Sequence, residues 1–371
     1  MPPPDPTAAI AAAALLIVLT TVIAWWYATA PRPIPAGKVT QITVYPLKSA
    51  RGVQVSSAVL DARGIAFDRL WMVVDEYGSF MSQRRAPRLA LVEAALPQTH
   101  DEPLVLSAPM AAKPLRVPVV KHDSPSARVR VWDDRVDAID QGDEAAAWLA
   151  AVLGVDGVRL VRMADSTERA CSRKYSPRGS VTAFSDGFPL LLANESSLAE
   201  LNRRLVARGK ASIPMDRFRP NLVIGGTDEQ DASSSFAEDA WSDVTLRGAK
   251  GDVAFGVVKP CARCKMPTIN QVTGVPDGRG SAAATTGDDD DDEGGGPAVE
   301  AEPTATLRTF RSGRVLGYKK RGWAQDVFFG QNLVLHAAAG SVISVGDPVV
   351  ATPRRAPGWF VRGVPGVDTL N

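Results

Sequence analysis

Apolar side chains in the first half of the chain fall in short runs separated by turn residues: "VTQITVY" (39–45), "RLWMVVD" (69–75), "LALVEAAL" (89–96), "LVLSAP" (104–109), "LRVPVV" (115–120) and "ARVRVW" (127–132). Runs of this length, rich in Val, Ile and Leu, predict β-strands. Asp75-Glu76-Tyr77-Gly78 follows one of them and predicts a hairpin turn. Helical spacing is clearest in two places. "DEAAAWLAAVLG", Asp143 to Gly154, opens on acids and closes on glycine, matching the helix dipole and the C-cap preference. In "SSLAELNRRLVARG", Ser197 and Glu200 have capping-box spacing, Leu198, Leu201, Leu205 and Val206 are assigned to one face, and Gly209 ends the helix. Strand-like runs return as "NLVIGG", "VTLRG", "VAFGVV", "NLVLHA" and "SVISVGDPVV". The balance predicts a mixed α/β, β-rich fold, a barrel or folded sheet with a few helices.

The segment Ala8 to Ala30 carries no charge and is long enough to cross a bilayer as one transmembrane helix. Ala28-Thr29-Ala30 also has the small-x-small form of a signal cleavage site. However, Asp5 and no Lys or Arg precede the run, and Trp25, Trp26 and Tyr27 suit an interfacial aromatic belt. Arg32 and Lys38 follow it, so the positive-inside rule places the C-terminal bulk in the cytosol. The organisation expected is therefore an anchor over 1–30, a proline-rich spacer over 31–37 and a β-rich domain over 38–165. A second domain over 166–355 and a tail over 356–371 follow. Residues 275–303 interrupt the second domain with Gly, Ala, Thr and the acidic run Asp288 to Glu293, a composition that predicts a solvated, disordered insertion.

Forty-two basic and 41 acidic residues leave a formal charge of +1, which excludes a whole-molecule field for nucleic acid. Three cysteines (Cys171, Cys261, Cys264) are too few and odd in number for a disulfide framework, which directs attention to "KPCARCKMPT". Its Cys-x-x-Cys pair has several chemical readings. Structural zinc needs four ligands, and the chain offers one other Cys and three scattered His (His100, His122, His336). A redox pair wants a helix N-terminus, yet Pro260 and Pro267 bracket these thiols. A single thiolate could serve a soft metal whose other donors come from a cofactor. Arg263 and Lys265 would help keep such a thiol deprotonated. Simple packing at a strand end stays open as well.

The stretch "VVKPCARCKMPTINQVTG" resembles the cysteine segment of MOSC-domain proteins. Further blocks resemble the amidoxime-reducing group within that family: "ITVYPLKSARG", "FDRLWMVVDEYGSFMSQRRAPRLALV", "AFSDGFPLLLANESSLAELNRRL", "DRFRPNLVIGG", "VFFGQNLV" and "VGDPV". They stand in the family's order and cover roughly residues 38 to 350. The resemblance implies a MOSC β-barrel over 166–355 preceded by an N-terminal MOSC β-barrel-type domain over 38–165. It also implies a molybdenum–molybdopterin cofactor with Cys264 as metal ligand and catalytic residue. By the same resemblance Lys48, Ser49, Arg69, Ser185, Asp186, Arg219 and Asn221 contact the cofactor. Arg263, between the two cysteines, and Asn332 are assigned to the pocket as further contacts, and Asp186 or a bound water is the expected proton relay. Lys and Arg suit a phosphate, and Ser, Asp and Asn suit a pterin ring.

The activity implied is reduction of amidoximes, hydroxylamines and hydroxamic acids. No Fe–S, haem or dinucleotide motif is visible on the chain, so electrons would come from outside it, and the resemblance implies cytochrome b5 and NADH-cytochrome b5 reductase as the donors. The basic stretch "RSGRVLGYKKRGW" offers a surface for an acidic partner. The outer mitochondrial membrane is the location the family implies. Pyridoxal phosphate binding comes with the family description, though the chain shows no pyridoxal-enzyme domain. The alternative function is a carrier of the molybdenum cofactor, or of sulfur, that does not turn over.

Overall fold

The computed structural model describes residues 13–21, 24, 30–99, 101–118, 125–226, 235–277, 300–320, 322–336 and 339–354. Seven strands close on themselves. Around the barrel they run Leu222–Gly225, Leu190–Asn194, Phe328–Leu335, Gly251–Ala262, Trp241–Gly248, Pro348–Pro353 and Ile34–Val44, and the last pairs back with the first. Pairs are antiparallel except Leu190–Asn194 with Leu222–Gly225. A parallel pair needs a crossover, which helix Glu195–Ala207 supplies. Ile42, Leu192, Leu222, Val244, Phe255, Leu333 and Val349 fill the interior.

Closure depends on one strand changing partners along its length. Ile34 and Pro35 face Ala351 and Val350, Lys38 to Ile42 face Gly225 to Leu222, and Ile42 to Val44 face Val55 to Val53. Irregular register between Pro35 and Lys38 and between Val39 and Gln41 lets the strand bend from one neighbour to the next. The stretch expected to be a spacer thus ends at Pro33, and Ile34–Gly37 belong to the barrel wall. Residues Ala58, Leu60 and Ile65, from the expected N-terminal domain, also pack in the barrel core.

A second module is inserted between Ile65 and the barrel strand at Leu190. Its four-stranded sheet has the order Trp71–Val74, Arg159–Met163, Asp134–Asp140, Ala127–Val131. A three-stranded meander of Glu93–Ala95, Leu104–Ser107 and Leu115–Val117 accompanies it. These surround a core that includes Leu47, Met72, Leu89, Leu104, Leu149 and Leu160. The hairpin turn at Asp75–Gly78 forms, with Asp75 N donating to Ser79 O and Gly78 N to Asp75 O. The run "LALVEAAL" is only partly strand, because Pro87 starts a 3₁₀ turn over Pro87–Leu91 that precedes it.

The helix expected at Asp143 spans Asp143–Leu153, and Gly154 caps it in the left-handed region at φ 70°. The other helix starts earlier than its capping box implied. Asn194, the last residue of its strand, accepts from Ser196 N and caps Glu195–Ala207. Ser197 is buried and donates instead to Glu238, while Glu200 pairs with Arg203 and Arg204. Leu201 and Leu205 face the core, but Val206 is 59% exposed, too far around the helix to join them. A third helix, Thr304–Arg311, follows the acidic insertion.

Of the expected anchor, residues 13–21 are helical with Leu15 to Leu19 54–69% exposed, and the remainder lies largely outside the described residues. Among the described residues no helix is long and apolar enough to cross a membrane. Most of the acidic insertion (278–299) and the tail from 355 also lie outside them, as do His100 and His122.

Candidate functional site

A cleft opens where the inserted module meets the barrel. One wall is the end of the cysteine strand Gly251–Ala262. Pro260 has no N–H for the ladder, and the pairing with Phe328–Leu335 slips on both sides of it, between Val257 and Lys259 and between Pro260 and Ala262. The bulged end turns Cys261, Arg263 and Cys264 to the cleft. Both thiols are free and half-buried. Cys264 Sγ lies 3.5 Å from Met266 N, and Arg263 Nη1 donates to Cys261 Sγ at 3.0 Å. Cys171 is buried apart from them, and burial pushes its thiol up to about 11.

Cations dominate the floor. Lys48 is 5% exposed and its Nζ lies 2.5 Å from Asp186 Oδ1. Burial pulls the Lys48 pKa below its ordinary value, against the opposing pull of Asp186. Arg69 Nη1 binds Asp68 Oδ2 at 2.5 Å and Asn221 Oδ1 at 2.7 Å. Tyr45 packs against both Arg69 and Arg219, whose guanidinium carbons sit 4.2 and 4.3 Å from its ring centre. Burial raises the Tyr45 phenol to about 12 despite both cations and lowers Arg219 to about 10, so Arg219 stays charged at neutral pH. Arg219 Nη2 and Arg263 Nε are buried without a partner among the described residues, a costly state unless a ligand supplies acceptors. Arg219, Arg263 and Arg84 form no carboxylate pair among the described residues, leaving the cleft with excess positive charge.

Asn221 plays a different part from its neighbours. Its Oδ1 accepts from Arg69 Nη1 and Leu191 N, and its Nδ2 donates to Thr43 O and Asp68 Oδ1. Asp68 also accepts from Tyr45 N, and burial raises its pKa above the ordinary carboxylate range. With both ends of its amide committed, Asn221 fixes Arg69 and Asp68 and has little left to offer a ligand. Asn332 lines the rim and donates to Lys259 O at 3.1 Å.

The Ser185–Asp186 turn is stapled from behind by Arg169, which donates to the carbonyls of Ala183, Ser185 and Asp186 and binds Asp134 Oδ2 at 2.7 Å. Asp186 itself is 67% exposed at the side chain. Desolvation by the cleft walls pushes its carboxyl up, but Lys48 and the Trp132 Nε1 hydrogen bond outweigh that and hold it well below the usual range. A carboxylate held ionised in this way is a poor proton store at neutral pH.

Trp132 comes from the inserted module, at the tip of the tight hairpin whose register closes at Val131 and Asp134. Its φ of 55° is one that such turns normally assign to Gly, Asn or Asp. Six described residues other than glycine have positive φ, and four of them line this cleft: Ser49, Arg69, Trp132 and Arg219. Backbone of that kind persists where the surroundings enforce it and clusters at binding sites. Trp132 packs on Phe80 at 5.0 Å and under Arg84 at 5.0 Å, so the inserted module contributes a cationic-aromatic wall.

All the residues expected at the site line this one cleft: Lys48, Ser49, Arg69, Ser185 and Asp186, with Arg219, Asn221, Arg263, Cys264 and Asn332. Sequence reasoning missed Tyr45, Asp68, Arg169, Arg84 and Trp132. Only Trp132, an aromatic at a hairpin tip, carried a readable signal. Among the described residues no three His, Cys, Asp or Glu side chains converge to hold a metal. The excess of cations and the unpartnered guanidinium nitrogens fit an anionic, hydrogen-bonding group, and the two thiols at the edge are soft donors.

The chain matches two domain families, the MOSC N-terminal beta barrel domain over residues 36–156 and the MOSC domain over 180–350. It is 31% identical to the mouse mitochondrial amidoxime-reducing component 1 over 326 residues, covering 84% of this chain and 82% of that protein. Against the human protein of the same name the figures are 30% over 322 residues, with the same coverage. A molybdenum cofactor sulfurase of Drosophila pseudoobscura pseudoobscura is 31% identical over 253 residues, or 64% of this chain and 29% of that protein.

Proposed function

The chain belongs to the MOSC-domain family, and from that premise we propose that it is a molybdenum-cofactor oxidoreductase that reduces N-hydroxylated compounds. Its substrates in this reading are amidoximes, hydroxylamines and hydroxamic acids, and its electrons come from NADH through cytochrome b5 reductase and cytochrome b5. One observation carries the proposal. Ten residues far apart in sequence meet in a cation-rich cleft, with two free thiols at its edge and a buried guanidinium nitrogen, Arg219 Nη2, without a protein partner. The names of the relatives point the same way.

Bound in the cleft, the cofactor would supply two-electron redox chemistry at the metal. Cys264 would be the one protein ligand, its thiol a suitable soft donor. Arg219 and Arg263 would bind the anionic part of the cofactor through the nitrogens now without acceptors. Asn221 and Asp68 hold Arg69 in register, and Arg169 fixes the Ser185–Asp186 turn. Phe80 and Trp132 would give the bound cofactor an aromatic wall contributed by the inserted module. The proton nearest Asp186 sits on Lys48 Nζ, 2.5 Å away, so relay through Asp186 would begin with transfer from that ammonium. The net reaction is R–NH–OH plus two electrons and two protons to R–NH₂ and water.

The apolar run from Ala8 to Ala30 supports a single-pass anchor, Arg32 and Lys38 after it support a cytosolic folded part, and the relatives' names support a mitochondrial location, for which the family resemblance implies the outer membrane. Retention in the membrane pellet after alkaline carbonate treatment would support that placement, and release would refute it.

The test of the main proposal is molybdenum and pterin content, with benzamidoxime reduction, of the full chain made in a host competent for molybdopterin. Near-stoichiometric metal with turnover, both lost in Cys264→Ser at unchanged fold, is the expected result. A folded, metal-free and pterin-free product would end the proposal. The sulfurase match favours one second reading, a cofactor or sulfur carrier without turnover. Metal-loaded protein that reduces nothing but activates an apo-enzyme would establish it.

A further inference from the structure

We propose that the face built from residues 172–179, 312–320 and 322–323 is the docking surface for an acidic one-electron haem carrier. The inference rests on the reductase reading above and names where its electrons enter. The chain as a whole is nearly neutral, yet residues 171–185 and 303–325 contain no acid at all. Arg173, Lys174 and Arg178 in the first stretch and Arg314 and Lys319 in the second are exposed. None of the five forms an ion pair among the described residues, whereas most other arginines near the barrel do. A surface of that composition attracts an acidic partner and raises its rate of encounter.

Beneath the cations the two stretches are joined by an aromatic stack. Lys320 Nζ donates to the Tyr175 hydroxyl at 2.6 Å, and the Tyr175 and Trp323 rings are stacked at 6.3 Å with an interplanar angle of 18°. Lys259 sits 5.2 Å from the Tyr175 ring and 5.6 Å from that of Trp323. It belongs to the cysteine strand, two residues before Cys261. On its other side Tyr175 meets Phe188 edge-on at 6.4 Å, and Phe188 lines the cleft. A continuous line of packed rings therefore runs from the basic face to the wall of the candidate site. A lipid surface or a nucleic acid would use the cations alone, whereas a redox partner would also use the short path. Each docking event delivers one electron as a carrier haem passes from Fe(II) to Fe(III). Two events and two protons balance each N–O bond cleaved and each water released.

The test uses the full-chain holoenzyme and benzamidoxime, with electrons supplied either by reduced cytochrome b5 or by dithionite-reduced methyl viologen. Variants are the double reversal Lys174→Glu/Lys319→Glu and, as a control on the inserted module, the exposed Arg116→Glu. The double reversal is expected to raise KM for cytochrome b5 at least about tenfold at low ionic strength and to flatten its salt dependence. Viologen-driven turnover should be unchanged, and the control should match the parent. An unchanged KM for cytochrome b5 in the double reversal would overturn the assignment. If the parent reduces nothing even with viologen, the functional reading fails, and calorimetric titration with cytochrome b5 decides the surface by itself. Weaker binding to the double reversal then supports the surface, and equal binding overturns it. Loss of binding to phosphatidylserine vesicles with carrier binding intact would assign the face to lipid and also overturn it.

Discussion

Asn221 is the residue at which a structural and a ligand-binding role make opposite predictions. It is 1% exposed, and its amide makes four hydrogen bonds, to Arg69 at 2.7 Å, Leu191 N at 3.2 Å, Thr43 O at 3.1 Å and Asp68 at 2.9 Å. Truncation to Ala removes all four and leaves the buried Leu191 N–H without its side-chain acceptor. At roughly 1 kcal/mol net for each bond, Asn221→Ala should cost about 4 kcal/mol. For a domain of the barrel's size that lowers Tm by about 8–16 °C. Asn332→Ala, which loses one side-chain bond to Lys259 O, should cost about 1 kcal/mol and about 2–4 °C. The assay is thermal unfolding of the metal-free full chain, followed by cofactor content of the loaded protein. If metal-free Asn221→Ala melts within about 3 °C of the parent, its amide is not committed to the fold. Direct contact with the ligand would then be its main role, as the resemblance implied.

Arg219→Met should leave the metal-free protein as stable as the parent or more so, because it removes a buried cation with no carboxylate partner, while cofactor content falls; a destabilised metal-free variant would contradict this. Glu238 is fully buried, accepts from Ser197 Oγ, and is pushed up to about 7 by burial and by Asp239. Its folded pKa exceeds its unfolded value near 4.5, so its contribution to stability is fully present below about pH 4.5 and is lost as pH rises through 7. Glu238→Gln should therefore melt higher than the parent at pH 8 and about equally at pH 4.5, and an equal offset at both would refute the cause. Gln83 and Gln271 bond reciprocally at 2.9 Å in the buried seam between the inserted module and the cysteine loop. Gln83→Leu should cost about 2 kcal/mol and speed amide exchange around 264–271, and unchanged exchange there would show that the seam does not hold the loop.

Where local chemistry decides structure, the sequence was readable. The acidic start and Gly154 of the first helix placed both of its ends, and the turn at Asp75–Gly78 formed where Asp and Gly stood. The second helix was misplaced at its start because two oxygen-bearing residues competed. Asn194 captured Ser196 N, while Ser197 was drawn to Glu238, a partner 41 positions away that no local pattern reveals. The spacer failed in the same way. "PRPIPAG" has the composition of a linker, but Ile34 and Pro35 are claimed by residues at the far end of the chain. At the site, the residues carried by family resemblance all reached the cleft. Their supporting shell did not show itself, because Tyr45, Asp68 and Arg169 matter through geometry that only the closed barrel creates. Asn221 was legible as a site residue but not as a brace, since its four partners come from two different strands and a turn.

The strand Ile34–Val44, whose closing partners lie at Leu222–Gly225 and Pro348–Pro353, fixes an order of events during synthesis. The inserted module has its own core, complete by Phe184, so it can condense while the ribosome is still translating most of the barrel. Ile34 and Pro35, at the start of the strand made first, must wait unpaired until the strand made last has emerged. Its loop closure spans nearly the whole folded chain, which makes barrel completion the slow and aggregation-exposed step. Loss of even a few residues at Pro348–Pro353 would leave an early-made edge permanently open, so a chain truncated there should become a client of chaperones or proteases.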